Sequence, residues 1–99
     1  MSRKELVQKI KSSISGLLRD MIDDCKESWR YEYDCEAGYN ELCEIKGYLY
    51  ALLDLEFITE DQHQSLVDAA NAFQEVICTG YTNHGTKQRK ALMKLLDEL

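Results

Sequence analysis

The sequence contains no proline. Proline removes a backbone donor and clashes with the turn before it, so its absence leaves no strong helix breaker anywhere in the chain. Glycine is scarce as well, and the five that occur become the main punctuation. Long apolar runs are missing. The longest, Tyr48 to Leu53, falls far short of the roughly 20 residues a membrane span needs. Lys9 and Lys11 interrupt the N-terminal region where a secretory leader would be continuously apolar. These absences predict a cytoplasmic protein with no membrane association. In that compartment its cysteines, Cys25, Cys35, Cys43 and Cys78, are expected to be reduced.

Signs of catalysis are also missing. There is no glycine-rich phosphate loop. The carboxylates show no spacing that singles out an acid/base pair. His63 and His84 lie in no recognisable catalytic motif. The first three cysteines stand well apart in sequence, not in the tight pairs that zinc sites use. The expectation is a protein that is not an enzyme and holds no cofactor and no metal.

What is present is a helical pattern. With 44% hydrophobic and 30% charged residues, the 99-residue chain reads as one folded domain over residues 1–99. Ser2 and Glu5 form a capping box. The series Val7, Ile10, Ile14, Leu17, Met21 steps by three and four, which is one apolar stripe on a helix reaching the mid-twenties and toward Trp29. Gly16 inside that helix suggests a close helix crossing. A second helix is predicted from about Asn40 to Glu56, with Leu42, Ile45, Leu49, Leu52 and Leu53 on one face. Thr59 and Gln62 form another capping box. They open a third helix that buries Leu66, Val67, Ala70, Phe73, Val76 and Ile77 and runs to about Cys78. Gly80 closes it, and Tyr81–Gly85 has turn chemistry. The last helix starts at Thr86 and buries Ala91, Leu92, Leu95 and Leu96. Cys25, Cys43 and Cys78 fall on or near the apolar faces. Short connections favour antiparallel neighbours, so the predicted fold is all-α, a small bundle of about four antiparallel helices.

Charge is spread unevenly. Residues 1–19 carry +4, residues 20–61 carry −10, and residues 62–99 balance to zero, for a net charge of −6. An acidic middle repels nucleic-acid phosphate and attracts basic surfaces. It can also imitate a phosphate backbone and occupy a partner's basic groove. Within it, Trp29, Arg30, Tyr31, Glu32, Tyr33, Asp34, Glu36, Tyr39 and Glu41 form an aromatic-acidic segment. Tryptophan, tyrosine and arginine dominate binding hot spots because they bury much area yet keep a polar handle. Those nine residues are the candidate partner-binding set, and the expected function is protein interaction. Two other readings compete with it. The basic residues Lys4, Lys9, Lys11 and Arg19, or Lys87, Arg89, Lys90 and Lys94, would serve a nucleic-acid-associated helical protein. The apolar stripe of the first helix would serve a homo-oligomeric structural subunit.

The stretch Glu44 to Phe73, EIKGYLYALLDLEFITEDQHQSLVDAANAF, resembles small all-helical proteins of bacterial phages and mobile elements. The shared pattern is a helix ending in a leucine-rich turn, followed by a capped helix start. The resemblance implies an inhibitor or adaptor that acts on a host macromolecule, in the manner of anti-defence proteins.

Overall fold

A computed structural model describes residues 2–31, 38–78 and 85–99, with residues 27–31 as backbone. The described residues form four helices: α1 (Arg3–Tyr31), α2 (Tyr39–Asp54), α3 (Glu60–Cys78) and α4 (Thr86–Asp97). The fold is an all-α bundle, as the periodicity predicts.

Each helix starts or stops for a local reason. At the head of α1 the Glu5 amide donates to Ser2 Oγ at 3.2 Å, which satisfies one orphan N–H of the first turn. At the head of α3 the capping box is reciprocal. The Gln62 amide donates to Thr59 Oγ1 at 3.1 Å, and the Thr59 amide donates to Gln62 Oε1 at 2.8 Å. α2 ends in a Schellman arrangement, with the Phe57 amide donating to the Leu52 carbonyl and the Glu56 amide to the Leu53 carbonyl, both at 2.9 Å. Its left-handed position is taken by Glu56, at φ 59°, where a glycine would sit without steric cost. Gly85, at φ 66°, precedes α4 and lies against Phe73 and Ile77, where a Cβ would come within 3.0 Å of the Phe73 ring.

Consecutive helices run antiparallel. Tyr50 near the end of α2 meets His63 near the start of α3, with ring centroids 4.7 Å apart. The Arg3 guanidinium at the start of α1 donates to the Phe57 carbonyl at 2.7 Å, beyond the end of α2. It also lies 5.6 Å from the centre of the Phe57 ring, within cation–π range. Lys11 of α1 pairs with Asp97 at the end of α4 at 2.9 Å, so α4 runs back along α1. α1 packs closely on α2, α2 on α3 and α3 on α4, while α4 meets α1 along a looser seam on the side away from α2 and α3.

The core lies between them. Ile14, Leu18, Met21 and Cys25 of α1 are buried with Leu42, Ile45, Leu49 and Leu52 of α2. Leu66, Ala70, Phe73 and Ile77 of α3 and Leu92 and Leu96 of α4 complete it. A fully buried leucine or isoleucine contributes about 1.5–3 kcal/mol over an exposed one, so this cluster dominates the favourable side of folding. α1 has 29 residues. At about 1.5 Å per residue it is ~43 Å long. That length accounts for the 44 Å long axis of a body only 22 by 18 Å across.

Several expected positions differ. Cys43 is exposed, because it follows Leu42 by one residue and so turns away from the face that Leu42, Ile45 and Leu49 bury. Ala91 is exposed for the same reason, one step from buried Leu92. Leu17, Leu53, Val67, Val76 and Leu95 are half-buried at the flanks of their stripes. On α1 the buried position is Leu18, which moves the stripe one residue from Leu17. Gly16 does not mark a close crossing. A Cβ built there would meet only the end of the Arg19 side chain, at 3.9 Å. Gly80 and residues 81–84 of the expected turn lie outside the described residues, as do Cys35 and His84.

Chemical denaturation separates the two kinds of contribution. Leu52→Ala, at a fully buried site, is expected to cost about 2–5 kcal/mol. Glu56→Gly relieves a left-handed non-glycine residue and is expected to gain about 1 kcal/mol. Equal midpoints for wild type and either variant would contradict the assigned packing or the assigned backbone.

Candidate functional site

Acidic residues crowd α2, α3 and the connection between them. Within residues 38–78, which form the α2–α3 side, there are eight acidic residues and one lysine, Lys46. The acids are Glu41, Glu44, Asp54, Glu56, Glu60, Asp61, Asp68 and Glu75. All but the half-buried Glu41 are exposed. α1 and α4, on the opposite side, carry most of the basic residues. The bundle is thus electrostatically two-sided, with its negative field over α2 and α3.

Two large aromatic side chains stand out of that acidic face. Tyr39 is 54% exposed and Tyr50 is 57% exposed. Tyr39, Cys43, Lys46 and Tyr50 step by four, three and four residues, so they form one stripe along the outside of α2. Gly47 lies beside it, and no atom stands within 4 Å of where its Cβ would be. The stripe is open, with a tyrosine toward each end. Tyr50 is positioned by its tilted ring contact with half-buried His63, whose Nε2 is buried without a hydrogen-bond partner.

On the other flank of α2, Glu41 faces α1. An Asp24 carboxyl within hydrogen-bonding reach pushes the Glu41 carboxyl above its ordinary value, and partial burial and the charges of Asp24 and Asp20 push the same way. Glu41 Oε2 is buried without a hydrogen-bond partner. Carboxylates crowded at this seam extend the acidic surface from α2 onto the later turns of α1. Among the described residues no three histidine, cysteine or acidic side chains come together as metal ligands. No helix of the described residues is long and apolar enough to cross a membrane.

The nine residues expected to bind a partner divide into three groups. Tyr39 and Glu41 are on α2, as described. Trp29, Arg30 and Tyr31 belong to the last turn of α1, which runs further than its apolar stripe alone indicates. Glu32, Tyr33, Asp34 and Glu36 lie outside the described residues. Sequence reasoning missed Tyr50, because it sits within the apolar run Tyr48–Leu53. The signal was available. Tyr50 is one residue past buried Leu49, and therefore off the face set by Leu42, Ile45, Leu49 and Leu52. No protein-family model matches the chain, and no curated protein or solved structure is similar to it.

The Glu41 seam has a definite pH signature. A carboxyl whose folded pKa is raised holds its proton more tightly when folded. Its contribution is therefore present below the ordinary value near 4.5 and is lost as pH rises through the folded pKa. Glu41→Gln is expected to raise the melting temperature at neutral pH and to give no gain in acid below that ordinary value. A gain of the same size at both pH values would contradict the raised pKa.

Proposed function

We propose that the chain is a non-enzymatic protein-interaction module that docks a basic protein surface with its acidic, tyrosine-bearing α2 side. The observation that carries this reading is the pair of exposed tyrosines on α2, within a helical pair, residues 38–78, that has eight acids and one lysine. Each half of that arrangement has its own task. The acids steer an oppositely charged partner and speed encounter, and they disfavour acidic competitors. The tyrosines provide contact area at low conformational cost, which slows dissociation once docked. The aromatic-acidic residues from Trp29 to Glu36 stay candidates for the same contact on their composition alone. An inhibitor or adaptor of the phage or anti-defence kind is the narrower form of this reading, supported by the helical hairpin Glu44 to Phe73 alone. Binding in the cytoplasm fits the absence of a membrane-spanning helix among the described residues.

The test is affinity capture with nuclease present, comparing wild type with the Tyr39→Ala/Tyr50→Ala double variant. Both side chains are more than half exposed, so the variant is expected to keep its helical circular-dichroism signal. It is expected to lose at least about tenfold in affinity for the captured protein, as hot-spot tyrosines do. Added salt should weaken wild-type capture through slower association. Undiminished binding by the folded variant would remove the tyrosine stripe from the interface. Capture that disappears with nuclease would favour the nucleic-acid reading.

A further inference from the structure

The side of the bundle opposite the acidic face holds an open groove of about 750 Å³ between α1 and α4. Gln8, Ser12, Ser15 and Arg19 of α1 line it, with Arg89 and Met93 of α4 on the other wall. The Lys11–Asp97 ion pair, at 2.9 Å, closes one end. At the other end Arg19 and Arg89 also line a second hollow of about 270 Å³, together with Lys26 and Thr86. The two arginines therefore stand at the waist where both spaces meet. Asp23 is on the wall of that second hollow, but forms no ion pair with either guanidinium. Among the described residues neither Arg19 nor Arg89 has a side-chain hydrogen bond or an ion-pair partner. Arg89 is half-buried.

That arrangement is unfavourable as it stands. Two positive charges lining one groove from facing helices repel, and neither guanidinium has an acceptor among the described residues. An anion between them would relieve that repulsion and supply the acceptor. Guanidinium presents five N–H donors in a planar fork that matches phosphate oxygens, and charge-assisted bonds of this kind are about twice as strong as neutral ones. The serine hydroxyls add donors along the α1 wall. We propose that the α1–α4 groove is a binding site for a phosphorylated small molecule of nucleotide size, with Arg19 and Arg89 holding its phosphate groups.

Size and lining favour that class over a nucleic-acid strand. The volume lies within the roughly 300–1,000 Å³ typical of small-molecule sites. No aromatic side chain lines the groove to stack against successive bases, as single-strand binders require. The net charge of −6 opposes a long polyanion far more than a single small one. Gly16 fits the same picture. It lies on the groove wall, and its missing side chain leaves the space in front of Arg19 open.

The experiment is isothermal titration calorimetry on the full chain at low salt. The probes are inorganic phosphate, a nucleoside triphosphate, citrate and an oligothymidylate. The expected result is one nucleoside triphosphate per chain, with weaker binding of inorganic phosphate and none of citrate. Arg19→Ala and Arg89→Ala should each weaken triphosphate binding at least about tenfold, the loss of one charge-assisted bond. Lys87→Ala, an exposed position that does not line the groove, should leave it unchanged. Arg19 is exposed, so its variant is expected to fold even if the Arg89 variant does not. Three results would overturn the proposal: no heat with phosphate or triphosphate, triphosphate binding indifferent to Arg19→Ala, or citrate binding as tightly as triphosphate. Binding of the oligothymidylate without the triphosphate would also overturn it and assign the groove to a nucleic-acid backbone.

Discussion

The apolar stripe of α1 has to be covered along nearly its whole length, from Val7 through Ile10, Ile14, Leu18 and Met21 to Cys25. No other helix is as long, so no single partner can cover it. α2 returns along one flank, and Gly38 at its head lies within 3.4–3.6 Å of Met21, measured from an ideal Cβ. α4 returns along the other flank and is pinned at its end by Lys11 and Asp97. α3 fills the remaining side and sends Phe73 fully into the core. Given that one stripe and short connections, an up-and-down bundle is the arrangement that buries it.

The two-sided charge follows from this packing. Asp20 and Asp24 of α1 act on Glu41 of α2, whereas Lys11, Arg19 and Lys26 line the α4 side together with Asp23. Because α2 and α3 are adjacent, their acids merge into one field. Because α1 and α4 are adjacent, Arg19 and Arg89 line one groove. The arrangement keeps the acids of α2 largely apart from the bases of α4, which gives up local ion pairing. The surface salt bridges thereby forgone are each worth little, about 0–1 kcal/mol, so the stability given up is small.

Much of the fold was legible in the sequence. Three- and four-residue apolar spacing placed all four helices, and the Thr59–Gln62 box located the start of α3 to within a residue. What was not legible depends on how faces meet. Windowed charge put −10 in residues 20–61 and zero in residues 62–99, which hides that exposed acids continue along α3 through Asp68 and Glu75. Gly16 looked like a packing contact because glycine inside a helix usually has a reason, but its neighbour across α1 is a groove. Arg19 and Arg89 are 70 positions apart. Only the antiparallel return of α4 brings them together. Tyr50 was hidden by its apolar neighbours, although the one-residue offset from Leu49 turns it outward.

The account rests most heavily on the claim that contact with a protein partner is confined to the α2 side. Amide hydrogen exchange, comparing the chain alone with its captured complex, tests this directly. The account predicts added protection along α2 from Tyr39 to Asp54 and on the exposed turns of α3, with α4 and the basic flank of α1 unchanged. Added protection centred on α4, or spread evenly over all four helices, would contradict it.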